Sequence, residues 1–373
     1  MKRLIYADNA ATTKLDNEAF EAMTPYLLNE YGNASQPYSF AREPKKALAE
    51  ARQIIATAIN ALPEEIYFTS CGTESDNWVI KGSAFIDAEK RATITSAIEH
   101  HAVLKACEAI ERLGYPVAYI KPDSKGLITP KALESIITDN TRLVSVMYSN
   151  NEIGTIEPIK ELAQVAHRHG ALFHTDAVQA VGHIAIDVKA LDVDMLSASA
   201  HKFNGPKGIG FLYIRKGVSL GSFNDGGSQE SGRRAGTENI ASIVGMSVAL
   251  KNNLAKLNEN ESHIIKLEHL LLSGLSELDY IRNGAENHIP GNISLSFKDC
   301  DGEALLHRLD LAGICVSTGS ACDSVNTQIS HVLKAIDLEE RYAKGTIRVS
   351  LGKDNTEEEI FAIISALKKI VKP

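Results

Sequence analysis

Residues 197–202 read Ser-Ala-Ser-Ala-His-Lys, and Gly-Pro-Lys-Gly-Ile-Gly follows at 205–210. A largely apolar run, Val193 to Leu196, carries the chain through small side chains to a single lysine, Lys202. Apolar surroundings disfavour the charged form of a lysine, and a neutral amine condenses with an aldehyde. That is the requirement for a lysine holding pyridoxal phosphate as a Schiff base. Taken alone, the same lysine also reads as a surface residue at a strand end.

Further segments bear on that choice. Thr69-Ser-Cys-Gly-Thr-Glu-Ser-Asp-Asn77 follows a predicted strand and opens a predicted helix. Amides at such a start point outward and favour an anion, Gly72 permits close backbone approach, and Thr73 adds a hydroxyl. The segment reads as a phosphate cradle or as a plain N-cap. Phe173-His-Thr-Asp176-Ala-Val-Gln179 puts an acid at the end of a strand, where ligands bind in open α/β sheets. Asp176 there either pairs with a pyridinium nitrogen, which keeps the ring an electron sink, or caps a turn. Asn150-Asn-Glu-Ile-Gly154 should line the same edge, with Asn151 as a donor to a ring oxygen or the holder of a turn. In Ser96-Ala-Ile-Glu-His100-His101 an imidazole can stack on a planar ring and shuttle protons, and no spaced acid–histidine set completes a metal site. His167 and His169 lie two apart on a helix and read as surface residues.

Five cysteines stand at 71, 107, 300, 315 and 322. Cys107 and Cys315 read as core, Cys71 sits in the turn before Gly72, and Cys300 abuts two aspartates that disfavour thiolate. Cys322, in Val316-Ser-Thr-Gly-Ser-Ala-Cys322-Asp-Ser-Val-Asn326, differs from these. A small, polar, glycine-bearing loop can deliver it to a substrate as a nucleophile, or it merely fills a turn. Arg348 in Gly345-Thr-Ile-Arg348 lies within a predicted strand and needs a partner, either a ligand carboxylate held in bidentate fashion or a structural salt bridge.

The elements that must position these residues alternate. Ile66–Thr69, Ala92–Ser96, Val117–Ile120, Leu143–Met147, Ala171–Thr175 and Asp194–Ser197 read as strands. Amphipathic segments such as Val103–Leu113 and Ile159–His169 lie between them, and Gly114 and Gly170 act as stop signals. This predicts a mostly parallel sheet wrapped by helices, with Ile209–Ile214 as a hairpin partner or edge. Residues 216–239 are Gly- and Ser-rich without a period, which favours a functional segment. One long helical pattern runs from Ile240 to Leu278. Strands at Ile293–Phe297, Ile314–Val316 and Ile347–Ser350 and a final helix at Thr356–Val371 suggest a second domain from about residue 256.

With 373 residues, 44% of them hydrophobic, the chain can bury a sizeable core. A net charge of −8 and short basic clusters argue against a nucleic-acid footprint. No stretch approaches a membrane span, and the opening Met-Lys-Arg-Leu-Ile-Tyr-Ala-Asp meets an acid too soon for a signal peptide. An odd number of scattered cysteines without Cys-x-x-Cys argues for a reducing compartment, by default the cytoplasm.

Together these segments resemble the cysteine desulfurases of the NifS/IscS type, within the fold-type I pyridoxal phosphate enzymes (class V aminotransferase family). The resemblance runs from Tyr6-Ala-Asp-Asn-Ala-Ala-Thr-Thr13 through Gly72-Thr-Glu-Ser-Asp-Asn, Asn150-Asn-Glu-Ile-Gly, His201-Lys-Phe-Asn-Gly-Pro-Lys-Gly-Ile-Gly, Arg233-Arg-Ala-Gly-Thr-Glu-Asn239 and Pro290-Gly-Asn-Ile-Ser to Gly319-Ser-Ala-Cys322 and Ile347-Arg348. It implies an α/β fold, with a mostly parallel seven-stranded sheet in a large domain at 14–255. A smaller α+β domain at 1–13 and 256–373 would carry the cysteine loop at about 317–328. It implies that Lys202 is the Schiff-base lysine and that Gly72, Thr73, Ser199 and His201 hold the phosphate. Thr237 would reach the phosphate of a neighbouring subunit, making a homodimer with a composite site. Asp176 would pair with the ring nitrogen, Gln179 and Asn151 with the ring oxygen, and His100 would stack. Arg348, helped by Asn33 and Asn151, would hold the substrate carboxylate. Cys322 would take sulfur from L-cysteine as a persulfide, leaving L-alanine, and pass it to an acceptor such as an iron–sulfur scaffold or a sulfur carrier for iron–sulfur assembly or tRNA thiolation. No resident metal is implied, passing iron–sulfur ligation by Cys322 aside. A related selenocysteine lyase, a class V aminotransferase and a silent scaffold in a sulfur-carrier complex are the alternatives.

Overall fold

A computed structural model describes residues 4–86, 90–319 and 329–371. Its main sheet has seven strands. From edge to edge they are Ile66–Thr69, Gly210–Ile214, Met195–Ser199, Leu172–Asp176, Thr141–Ser145, Ala92–Ser96 and Val117–Ile120. The five strands from Met195–Ser199 to Val117–Ile120 run parallel; Gly210–Ile214 is antiparallel to both its neighbours. The hairpin expectation for Ile209–Ile214 is met, and the outer position belongs to Ile66–Thr69.

Side chains alternate across this sheet, and both faces are dry. Ile66, Phe68, Val144, Leu196, Phe211 and Tyr213 enter one apolar cluster, while Tyr67, Leu143, Met195, Leu212 and Ile214 enter another. A strand with a two-residue period and two buried faces reads as a continuous apolar run, which is why these segments stood out in the sequence. Helix His101–Arg112 bridges Ala92–Ser96 to Val117–Ile120, and helix Ile159–Arg168 bridges Thr141–Ser145 to Leu172–Asp176. Each turns its apolar side, Val103, Cys107 and Ile110 or Leu162, Val165 and Ala166, onto the sheet.

A third apolar cluster gathers Ile5 and Ala7 with residues between Ile264 and Leu367. Around it lie an antiparallel sheet ordered Thr346–Ser350, Asn292–Phe297, Tyr280–Asn283 and a parallel pair joining Ile5–Tyr6 to Ile314–Cys315. The helical pattern from Ile240 to Leu278 resolves into two helices, Ile240–Ala255 and Leu257–Gly274. They part at Lys256, whose φ of −116° and ψ of 18° leave the helical region. The aperiodic stretch 216–239 is fastened by two buried-side ion pairs, Arg52 with Glu230 and Arg234 with Glu74, at 2.7 Å each.

Candidate active site

The carboxyl ends of the parallel strands converge on one cavity of about 260 Å³. Asp176 closes its strand, Ser199 closes the neighbouring one, and His201 and Lys202 follow on a single 3₁₀ turn, Ala200–Lys202. His100 caps the helix that leaves Ala92–Ser96, and Asn151 lies six residues beyond Ser145. Gly72 and Thr73 open helix Gly72–Ala84. All of these line the cavity, together with Gln179 and Arg348.

Lys202 is half-buried rather than sealed among apolar groups. Its Nζ donates to the carbonyls of Ala10 and Ala11, so the amino-terminal segment forms part of the cavity wall. His100 accepts the Ala102 N–H at Nδ1 (3.1 Å), which assigns its proton to Nε2. Burial above all, then Lys202 and two neighbouring histidines, pull its pKa down to about 4, so this imidazole is neutral. His201, bonded through Nδ1 to Thr12 Oγ1 (3.1 Å), is likewise brought to about 4 by burial and by the charges of Lys202 and Lys207.

An acidic layer lies beneath. Burial lifts Asp176 to about 6, although the Val178 N–H (2.9 Å) and Lys202 pull the other way. Burial and the charge of Asp176 hold Asp76 well above the ordinary carboxylate range, and burial pushes Glu99 up to about 8. His174 sits between Ser145 and Ser197 at 2.9 Å each, and burial pulls it down to about 3. A protonated ring nitrogen beside Asp176 would supply the positive charge that this layer lacks.

The cavity suits a flat, phosphate-bearing cofactor. Ser199 Oγ is buried and has no hydrogen-bond partner among the described residues, a cost that an incoming acceptor relieves. A Cβ at Gly72 would lie 2.6 Å from Val178 Cγ2, so only glycine lets the helix start approach this wall. Gln179 Nε2 donates to Ala10 O at 3.0 Å. Arg348, 2% exposed, donates to Asn151 O (2.8 Å) and to Asp8 Oδ1 (2.9 Å), and its buried Nε has no partner among the described residues. An unmatched guanidinium donor on the wall suits a carboxylate.

Two of the expected site residues stand apart from the cavity. Asn33 does not line the cavity; its Oδ1 accepts the Ser35 N–H and closes its own turn. Thr237 is exposed and lines a separate hollow with Ser70, Gly208 and Glu238. Cys322 lies outside the described residues. Sequence reasoning assigned no role to Asp8, to the carbonyls of Ala10 and Ala11, or to Glu99, and read Asp76 only as a support for the dipole of the helix that Gly72 opens. Asp8 contacts a residue 340 positions away, which no local pattern signals.

Residues 5–363 match the family described as Aminotransferase class-V. Cysteine desulfurase IscS of Dictyoglomus turgidum is 45% identical over 377 residues, covering 100% of this chain and 95% of that protein. Cysteine desulfurase IscS of Methanosarcina thermophila is 44% identical, covering 99% and 92%. Among solved structures, a NifS-like protein aligns with a TM-score of 0.93 at 38% identity over 99% of both chains. SspA in complex with cysteine aligns at 0.85 and 36%, covering 94% of this chain and 100% of that one. With that match along nearly its whole length and relatives at this level of identity, the chain belongs to the class-V aminotransferase family, in its cysteine desulfurase branch.

Proposed function

We propose that the protein is a pyridoxal phosphate-dependent cysteine desulfurase that converts L-cysteine to L-alanine and carries the sulfur as a persulfide on Cys322. The observation that carries this reading is the single cavity in which Lys202, Asp176, His100, Ser199 and Arg348 meet. Lys202 would hold the cofactor covalently. Gly72, Thr73, Ser199 and His201 would hold its phosphate, Asp176 its ring nitrogen, and Asn151 and Gln179 its ring oxygen. Bound there, the cofactor supplies an electron sink conjugated to the substrate amine. Neutral His100, with its proton on Nε2, is suited to stack on the ring and to hand a proton across the face it covers. The Arg348 guanidinium would fix the substrate carboxylate and so orient the sulfur. The Cys322 thiolate would attack that sulfur. A sulfur–sulfur bond forms, the substrate carbon–sulfur bond breaks, and the carbon skeleton leaves protonated as alanine.

Thr237, exposed and outside the cavity of its own chain, fits the expected contact with a partner's phosphate. Exposed Phe20, Leu27, Leu28 and Tyr31 on and just after the first helix supply apolar surface for a second copy. We therefore propose a homodimer with composite sites. The clusters on the two faces of the main sheet and the separate cluster around the smaller sheets support a division into a large domain, 14–255, and a small one formed by 1–13 and 256–373. Among the described residues no helix is long and apolar enough to cross a membrane. We place the enzyme in the cytoplasm, delivering sulfur to an acceptor protein for iron–sulfur assembly or tRNA thiolation.

Incubation of holoenzyme with L-cysteine, with alanine, sulfide and protein persulfide all quantified, tests the reading. Alanine and persulfide should rise together in the wild type, and Cys322→Ser should form neither. Alanine release by Cys322→Ser at the wild-type rate would favour a lyase or aminotransferase instead.

A further inference from the structure

Arg348 is not a bare cation waiting in the cavity. Asp8 Oδ1 accepts from its Nη2 at 2.9 Å and from Ser317 Oγ at 2.8 Å. Asp8 itself does not line the cavity, so it meets the guanidinium from behind, while Arg348 faces the hollow. The contact is built on backbone. Ser317 and Arg348 exchange both of their backbone hydrogen bonds, at 3.1 and 2.7 Å, and Asp8 is bridged to Ser350 on the strand that carries Arg348. With Arg348 at 2% exposure, an unbalanced guanidinium would be costly, and the carboxylate offsets that cost in the free protein.

Two carboxylates then share one guanidinium whenever an amino acid binds. Resting on the reading of Arg348 as the carboxylate-binding group, we propose that Asp8 is a built-in counter-ion that competes with the substrate carboxylate for Arg348. It limits how tightly the site holds any α-amino acid and thereby eases release of the product. The arriving carboxylate meets a pair with no net charge, so its attraction comes from the unmatched Nε donor and short-range geometry rather than from a full positive charge. The effect is confined to ligands that carry a carboxylate. A simple amine reaches the cofactor without touching Arg348.

Binding to holoenzyme tests this, read from the change in absorbance of the bound cofactor without turnover. The ligands are L-alanine and ethylamine, its counterpart without the carboxylate. Asp8→Asn keeps an oxygen acceptor for Arg348 and Ser317 while removing the charge. L-alanine should bind it more tightly, by on the order of tenfold, with ethylamine unchanged. Ser317→Ala concentrates the Asp8 charge on Arg348, and L-alanine should weaken by roughly threefold, again without effect on ethylamine. Arg348→Leu should erase the preference for L-alanine over ethylamine. If it does not, the assignment of Arg348 itself fails. If Arg348→Leu behaves as expected but Asp8→Asn binds L-alanine no more tightly than the wild type, the counter-ion proposal fails alone. Thermal melts establish that each variant folds. Should Asp8→Asn not fold, unchanged or tighter L-alanine binding by Ser317→Ala overturns the proposal.

Discussion

Glu99 offers a measurement of how dry the layer beneath the cavity is. Its Oε1 accepts from Ser96 Oγ and from the Met147 N–H (2.9 Å), and its Oε2 is buried with no hydrogen-bond partner among the described residues. Burial raises the carboxyl from 4.5 to about 8, so the folded protein keeps it neutral where the unfolded chain ionises it. The folded-state value is the higher one, so this contribution is full below pH 4.5 and is lost as pH climbs through about 8. Each pH unit in which only the unfolded chain is ionised removes about 1.4 kcal/mol, which over this window comes to roughly 5 kcal/mol. Glu99→Gln abolishes the titration while keeping an oxygen for Ser96 and Met147. For 373 residues the unfolding entropy is about 0.8 kcal/mol per kelvin. The variant should therefore melt about 6 °C above the wild type at pH 8, and the advantage should vanish near pH 5. Melts of the cofactor-free proteins between pH 5 and 8 give the difference, and the titrations of groups remote from Glu99 are shared by both proteins and cancel. An equal pH dependence in the two proteins would refute the reasoning, because it would mean that Glu99 ionises in the native state.

The remaining predictions are simpler. Gly72→Ala forces a Cβ to within 2.6 Å of Val178 Cγ2, so the helix start must withdraw. Apoenzyme titrated with pyridoxal phosphate should show affinity reduced by about tenfold or more, and Val178→Ala in the same chain should restore part of it. Arg52→Met leaves the buried Glu230 carboxylate with the Phe68 N–H as its one remaining hydrogen bond among the described residues, and should cost about 3 kcal/mol in urea melts. A loss below about 0.5 kcal/mol would mean that water reaches Glu230 in the native protein.

Much of the large sheet was legible because strands buried on both faces are plain apolar runs bounded by turn residues. Ile66–Thr69, Ala92–Ser96 and Val117–Ile120 fall where the pattern puts them. Strand Thr141–Ser145 begins two residues before the apolar run suggests, since Thr141 is sequestered by its neighbours although its side chain is polar. Tyr280–Asn283 went unread: three of its four residues are only half-buried, so no apolar run marks this edge strand. The break at Lys256 carries neither glycine nor proline and is imposed by packing on two different cores. In the site, residues that stand at strand ends with a distinctive neighbour, such as Asp176 and Lys202, could be found. Asp8 and Asp76 could not, because what sets them apart is a partner brought near only by the finished fold.

The stretch from Ile5 to Thr13 has one more consequence. It pairs with Ile314–Cys315, hydrogen-bonds to Ser350, and then supplies the Ala10 and Ala11 carbonyls to Lys202 and the Thr13 amide to the His201 carbonyl. During synthesis this stretch leaves the ribosome about 190 residues before His201 and Lys202 and over three hundred before Ile314–Cys315 and Ser350. Until the later partners arrive its Ile5–Asn9 half is unpaired, and the wall it forms around Lys202 lacks that anchor. The sheet can assemble while translation continues, but catalytic competence comes last, and any ribosome that stalls before the strand at Thr346–Ser350 releases a chain with a core and no working centre.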